Sequence, residues 1–333
     1  MSENNVLHHD ESSDVSAVDV FSSGISVSDV ISNDVVLSDV VLSDAPIDDA
    51  FVPLLTSKDW NEEWKELQKI RRHSDKAEFW DKRADTFGAK DAPSPYVHEF
   101  LSLAKLRPKD SVFDMGCGTG SLAVPLGAAG YKVIAADFSS GMLGVLQNEL
   151  VTRDIHTVQT MQMSWEDDWE KQGITDECVD VCFASRSIAV ADLKEALLKL
   201  TRVARRRVCI TLTTGASPRV DERILGELGV KHTLGRDYLY AFNILAQLGY
   251  EPEMSYIKSE RADTFESFEA AQESLAKMVK DSARYVPEKE CVAALDKLDA
   301  WLKDNLVQTN DDEKLYRLRH PRVITWAFIS WDK

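Results

Sequence analysis

The sequence predicts an α/β fold, a parallel sheet with helices on both faces. Three observations carry that prediction. Between residues 111 and 213, short apolar runs alternate with longer amphipathic ones, the order that strands joined by crossover helices require. The first of these runs ends in a glycine-rich turn, Asp114-Met115-Gly116-Cys117-Gly118-Thr119-Gly120. The chain then closes with a strand, a helical insert and a last strand.

Residues 1–52 form a low-complexity segment in which Ser-Asp-Val recurs at Ser28-Asp29-Val30 and Ser38-Asp39-Val40. Residues 1–50 hold eleven Asp or Glu and no Lys or Arg, so most of the net charge of −17 belongs here. One-signed charge with few aromatics predicts a disordered, solubilising tail. Residues 58–90 show helical spacing, with Trp60, Trp64 and Leu67 in one set and Phe79, Trp80 and Phe87 in a second. Pro93 and Pro95 interrupt the pattern, and Tyr96 to Leu106 gives a further short helix.

From there the expected order is strand 111–115, helix 121–129, strand 132–136, helix 140–151 and strand 156–162. Strand 178–184, helix 190–205 and strand 207–213 follow. Leu193, Ala196, Leu197 and Leu200 give the helix after the fourth strand its apolar stripe. Helices near 220–228 and 237–248, a strand near 253–259, a helical stretch over 264–306 and a strand from Arg322 to Trp331 complete the chain.

The turn at 114–120 discriminates between ligands. A dinucleotide fold wants G-x-G-x-x-G, yet position 121 is Ser and the third glycine, Gly120, comes one residue early. Asp114 leads the turn, where a carboxylate would repel a pyrophosphate and attract a cation. The second strand ends on another acid, Asp137, about where a carboxylate can hold two ribose hydroxyls. The alternative is that Asp137 caps the next helix, a role for which Ser139 is also a candidate.

Asp-x-Gly-x-Gly-x-Gly resembles motif I of the class I S-adenosyl-L-methionine (SAM) methyltransferases, and Asp137-Phe138-Ser139 with Met142-Leu143 resembles the sequence that follows it there. The resemblance implies a Rossmann-like methyltransferase sheet with an antiparallel last strand, and SAM as cofactor. Asp114 then holds the methionine amino group, while Gly116, Cys117, Gly118 and Gly120 line the cofactor with Asp137, Phe138 and Met142. Residues 79–87, Phe-Trp-Asp-Lys-Arg-Ala-Asp-Thr-Phe, resemble the N-terminal cap of small-molecule members, which implies that Trp80, Arg83 or Phe87 closes over the cofactor. On this reading residues 53–333 are one methyltransferase domain, with a helical cap at 58–106 and a helical insert at 262–315.

Ligands of such sheets bind beyond the carboxyl ends of the strands. The third strand end offers Ser164, Trp165 and Glu166, and the family places its adenine contacts there. The fourth gives Ser185 and then Arg186, between cofactor and substrate. An arginine at that place suits a carboxylate or phosphate on the acceptor; the competing reading is an internal ion pair, with Asp192 as a candidate. Tyr238 and Tyr240, after the fifth strand, are further substrate candidates, although with Asn243 they do not share one helical face. His98, His232 and Tyr238 are the candidates for a general base.

Composition excludes several classes. Neither the tail nor the remaining chain is basic, which disfavours nucleic acid as a substrate. No apolar run approaches the roughly 18 residues of a membrane span. The N-terminus lacks a basic, apolar leader, and the default expectation is a cytoplasmic protein. The five cysteines form no C-x-x-C pair and the seven histidines are scattered, so no metal is expected. The function expected is methyl transfer from SAM to a small molecule. A non-catalytic SAM-binding regulator and a protein methyltransferase are the alternatives.

Overall fold

The computed structural model describes residues 54–71, 76–86, 94–215, 220–231, 235–282, 286–310 and 314–333. The acidic segment of residues 1–52, Phe87 and His232 lie outside the described residues.

Among the described residues, seven strands form one sheet in the order β3-β2-β1-β4-β5-β10-β6. These are β1 (Ser111–Met115), β2 (Lys132–Asp137), β3 (Val158–Gln162), β4 (Val179–Ser185), β5 (Ala204–Thr213), β6 (Glu253–Arg261) and β10 (Arg322–Asp332). β1 to β5 are parallel, and β10 runs antiparallel to both β5 and β6. The Rossmann-like sheet with one reversed strand is thus as expected from the motifs.

Alternation along the strands feeds two cores. Phe113, Met115, Cys182 and Ala184 face one side, where α2 (Trp60–Arg71), α7 (Leu193–Val203) and α9 (Asp237–Gln247) supply Trp64, Leu197, Leu200 and Ile244. Val112, Val181 and Phe183 face the other, against α4 (Pro95–Leu103), α5 (Ala123–Ala128) and α6 (Ser140–Thr152). The period of two places Asp114, Asp137, Ser185 and Thr211 on this second face, all toward the carboxyl ends of parallel strands.

A third core belongs to α8 (Glu222–Glu227), α10 (Phe268–Ser282) and α11 (Glu288–Asn305), joined through Leu225, Leu275 and Leu298. A small sheet of β7 (Thr264–Phe265), β8 (Leu306–Gln308) and β9 (Tyr316–Leu318) accompanies it. The stretch expected to be helical, 264–306, therefore opens with β7 and then holds two helices, α10 and α11. Pro287 explains the division between the two helices: at φ −56° and ψ 134° it cannot continue a helix and instead precedes α11.

Two boundaries also differ. The helix after the glycine turn begins at Ala123, not 121, because Gly120 at φ +87° still belongs to the turn. Pro125 sits in its first helical turn, where a missing N–H costs nothing. β5 begins at Ala204, directly after α7, with a register shift against β4 between Val179 and Val181. No helix among the described residues is long and apolar enough to cross a membrane.

Candidate functional site

The turn between β1 and α5 is held by its own backbone. The N–H groups of Gly116 and Cys117 both donate to Ala136 O at the end of β2, at 2.7 and 3.0 Å. Gly118 N donates to Asp137 Oδ2 at 2.9 Å, and Gly120 N to Cys117 O at 3.0 Å. Gly116 has φ +74°, and a Cβ there would lie 2.3 Å from Ser187 Cβ. A Cβ on Gly120 would lie 2.3 Å from Leu146 Cδ1. Backbone angle and packing both demand glycine at these two positions. These four N–H groups are spent inside the turn and are not offered to a ligand.

Two carboxylates flank this turn. Asp137 is buried and accepts from Gly118 N and from Ser139 N, the latter 2.9 Å from Oδ1. Burial nevertheless raises its pKa, and those two bonds oppose the rise. Asp137 is not the helix cap; Ser139 is, with its Oγ accepting from Met142 N at 3.1 Å. Asp114 is 1% exposed, and its Oδ1 has no hydrogen-bond partner. Burial, then the neighbouring Asp137 charge, push its pKa up to about 7, against a smaller opposing pull from Arg186. Cys117 is buried and its thiol is held well above the usual range, so it packs rather than reacts.

The N-terminal helices reach this cluster through a residue that motif reasoning passed over. Asp81, at the end of α3 (Ala77–Asp81), accepts from Ser139 Oγ and Gly141 N. Trp80 packs edge-on against Phe79, and the Arg83 guanidinium stands 3.8 Å from the Phe79 ring centre. Phe138 is half-buried and Met142 buried beside the turn.

At the end of β4, Ser185 Oγ is 2.7 Å from the Tyr96 hydroxyl, which is also 2.7 Å from Thr211 Oγ1. Tyr96 comes from α4 and is buried, which holds its phenol above the usual range and keeps it protonated. Arg186 N donates to Thr211 Oγ1 at 3.0 Å, and its guanidinium lies 4.3 Å from the Tyr96 ring centre. The expected partner Asp192 is engaged elsewhere: it caps α7 at Glu195 N and pairs with Lys65 at 2.9 Å. Tyr96 and Thr211 left no local signal in the sequence, since each acts across a long separation, whereas Asp81 lies inside the cap-like stretch 79–87 and was not singled out within it.

Trp165 is half-buried, donates to Ser187 O at 3.1 Å and packs against Trp169; Glu166 is exposed. Tyr238 and Tyr240 lie on α9, on the opposite face of the sheet. The Tyr240 hydroxyl donates to Glu63 at 2.6 Å, and its ring meets Trp60 and Trp64. Tyr238 packs against Tyr256. His98 is exposed on α4.

A buried carboxylate with an orphan oxygen, beside a second carboxylate, is costly unless a cation meets it. The methionine ammonium of SAM is such a cation. Each Asp137 oxygen keeps a further lone pair for a ribose hydroxyl. The residues present therefore fit that cofactor. The strand order and the reversed β10 define a Rossmann-like α/β fold, and the chemistry of this turn suits a nucleoside with a cationic end.

Residues 112–207 match the family model of the methyltransferase domain. An uncharacterized protein of Haemophilus influenzae is 33% identical over 189 residues, covering 54% of this chain and 66% of that protein. The malonyl-[acyl-carrier protein] O-methyltransferase of Yersinia pestis is 30% identical over 126 residues, 38% of this chain and 44% of that enzyme. The chain spans less than two thirds of the length of each of these relatives. The YcgJ protein of Bacillus subtilis aligns in structure with a TM-score of 0.44 at 15% identity, over 72% of this chain and 97% of that one. The matched segment runs from β1 into the start of β5 and so contains the glycine turn, Asp114, Asp137 and Ser185.

Proposed function

We propose that this chain transfers a methyl group from SAM to a small-molecule acceptor. The observation that carries the reading is the buried, unpartnered Oδ1 of Asp114 beside the glycine turn, inside the matched domain. When bound, SAM would supply a methyl on a sulfonium, the acceptor's lone pair bonding to the methyl carbon as the carbon–sulfur bond breaks and S-adenosylhomocysteine leaves. Asp114 receives the ammonium group and Asp137 the ribose hydroxyls. Trp165 and Glu166 would hold the adenine, and Ser185 would line the cofactor at the end of β4. A general base is needed only where the acceptor must lose a proton. Protonated Tyr96 does not serve as one; it orients Ser185 and Thr211 instead.

The relatives named for malonyl-[acyl-carrier protein] add acids carried on a protein to the acceptors worth testing. The buried free thiols Cys117, Cys182 and Cys209 suit a reducing compartment such as the cytoplasm. Calorimetry with SAM, S-adenosylhomocysteine and NAD tests the cofactor, with micromolar-range binding of the first two expected. Preferential binding of NAD removes the assignment. Incubation with methyl-labelled SAM and size-fractionated cell extract then tests transfer: label in the small-molecule fraction is expected. Tight SAM binding with no label in any fraction makes the chain a SAM-binding regulator.

A further inference from the structure

Arg186 stands in a conformation that a side chain rarely adopts. It follows the last residue of β4 at φ +61°, held there by the bond from its N–H to Thr211 Oγ1. Such strain at a non-glycine residue persists only where surrounding contacts impose it, and it gathers at ligand sites. Here the contacts impose a direction on the side chain. The guanidinium carbon is 4.3 Å from the Tyr96 ring centre and 6.0 Å from that of Trp326. Both rings are buried, and Tyr96 is fixed by its two hydroxyl contacts.

Most arginines in and around the sheet are paired, although Arg261 at the end of β6 has no ion pair among the described residues. Arg71 meets Asp237, Arg205 meets Asp180, and Arg206 meets Asp110. Arg207 meets Glu253 and Asp332, and Arg322 meets Asp263. Arg186 is exposed and has no ion-pair partner among the described residues. Its planar fork, backed by aromatic rings, leaves its N–H edges open to an incoming anion. The same face carries Asp114 and Asp137, whose charges oppose a dianion more than a monoanion.

We propose that Arg186, backed by Tyr96 and Trp326, is the specificity-determining anchor of the acceptor, and that the acceptor is a small monoanionic carboxylic acid. The role as acceptor anchor rests on the methyltransferase reading; the binding of a carboxylate does not. Pairing is bidentate, fork to carboxylate, in the space next to the Ser185 hydroxyl.

The test titrates the full chain, saturated with S-adenosylhomocysteine, with acetate, butyrate and phenylacetate. Phenylacetamide and inorganic phosphate serve as controls. At least one monocarboxylate is expected to bind saturably. Phenylacetamide is expected to bind at least tenfold more weakly than phenylacetate, and phosphate more weakly than the best carboxylate. Arg186→Gln should raise the carboxylate Kd at least tenfold, measured with S-adenosylhomocysteine saturating in each protein because the Arg186 charge also acts on Asp114. Arg186→Lys, which keeps the charge but loses the fork, should fall between, and decides the matter if the glutamine variant does not fold. Saturable binding by no monocarboxylate, equal binding of acid and amide, or unchanged affinity in the variants overturns the proposal. Tighter binding of phosphate overturns the carboxylate assignment. Failure of the wild-type chain to bind S-adenosylhomocysteine sinks the methyltransferase reading instead, and the same titrations on the ligand-free chain still judge the anion site.

Discussion

Asp81 and Ser139 join the N-terminal helices to the cofactor half of the sheet through a 2.6 Å hydrogen bond from Ser139 Oγ to Asp81 Oδ1. The same oxygen accepts from Gly141 N at 2.9 Å, in the first turn of α6. Gly141 permits the approach, since a Cβ there would lie 2.9 Å from Asp81 Cα. Ser139 N donates in turn to Asp137, so one chain of polar contacts runs from α3 to the ribose-binding candidate.

Asp81→Ala should therefore loosen α3 from α6 and weaken SAM binding. The bonds from Ser139 and Gly141 hold the Asp81 carboxyl below the usual carboxylate range. A depressed folded-state pKa contributes stability above the ordinary carboxylate value and loses it only as pH falls through the lowered one. The contact thus persists through the neutral range and fails in acid. Hydrogen exchange over residues 77–86 is the check. Unchanged exchange in the variant would show that Phe79 and Trp80 hold the segment without Asp81.

Asp114 has the opposite sign. Its pKa is raised to about 7 in the ligand-free chain, so between the ordinary carboxylate value and 7 the folded state holds a proton that the unfolded state has released. Stability from this residue therefore falls as pH rises through that window. Asp114→Asn removes the titration, and its stability relative to wild type should grow from pH 5 to pH 8. SAM affinity of the wild type should rise toward pH 7 and level off, as the ionised carboxylate meets the ammonium. At pH 8 the variant should bind SAM more weakly by about 1.5–3 kcal/mol, the range for a hydrogen bond to a charged group. Parallel pH profiles of binding in the two proteins would remove Asp114 from the ammonium site.

The features legible beforehand are those encoded in adjacent residues. The turn at 114–120 and Asp137 at the end of β2 follow from spacing alone, and so does the alternation that gives the sheet. What was not legible depends on contacts between distant segments. Tyr96 read as part of a short helix, yet it meets Ser185 and Thr211, 89 and 115 residues away. The small sheet escaped notice because its strands are two or three residues long, too short to show a period. Tyr238 and Tyr240 were grouped by position after β5, whereas α9 packs them on the face opposite Asp114.

Asp137→Ala should cost more than cofactor affinity. The carboxylate also accepts from Gly118 N and Ser139 N, so its loss frees a turn N–H as well as a ribose contact. A loss of about 1–3 kcal/mol in SAM binding is expected. A measurable fall in the melting temperature of the ligand-free chain should accompany it. Calorimetry and thermal denaturation on one preparation read both. A fall in melting temperature with full SAM affinity would make Asp137 a strut of the turn alone.

On the far face, Arg71 and Asp237 form a bidentate pair, Nη1 to Oδ2 at 2.9 Å and Nη2 to Oδ1 at 2.6 Å. Both side chains are about nine-tenths buried, at 11% and 9% exposure, so removing one strands the other. The pair fastens α2 to α9. α2 in turn clamps the loop after β4, which carries Arg186. Trp64 Nε1 donates to Val190 O at 2.7 Å, and Asn61 bridges Asp192 and Lys194 N at 3.0 and 2.9 Å. Arg71→Met or Asp237→Leu alone should destabilise the chain by about 3–5 kcal/mol, and the double variant should recover much of that loss. Urea denaturation of all four proteins gives the coupling energy. Because the clamp acts directly on the loop and reaches the glycine turn only through Ser187, the single variants, while folded, should lose more binding of carboxylates at Arg186 than of SAM. Additive destabilisation in the double variant would show that the pair does not act as a unit. Unchanged carboxylate binding in the singles would show that the loop holds its shape without α2.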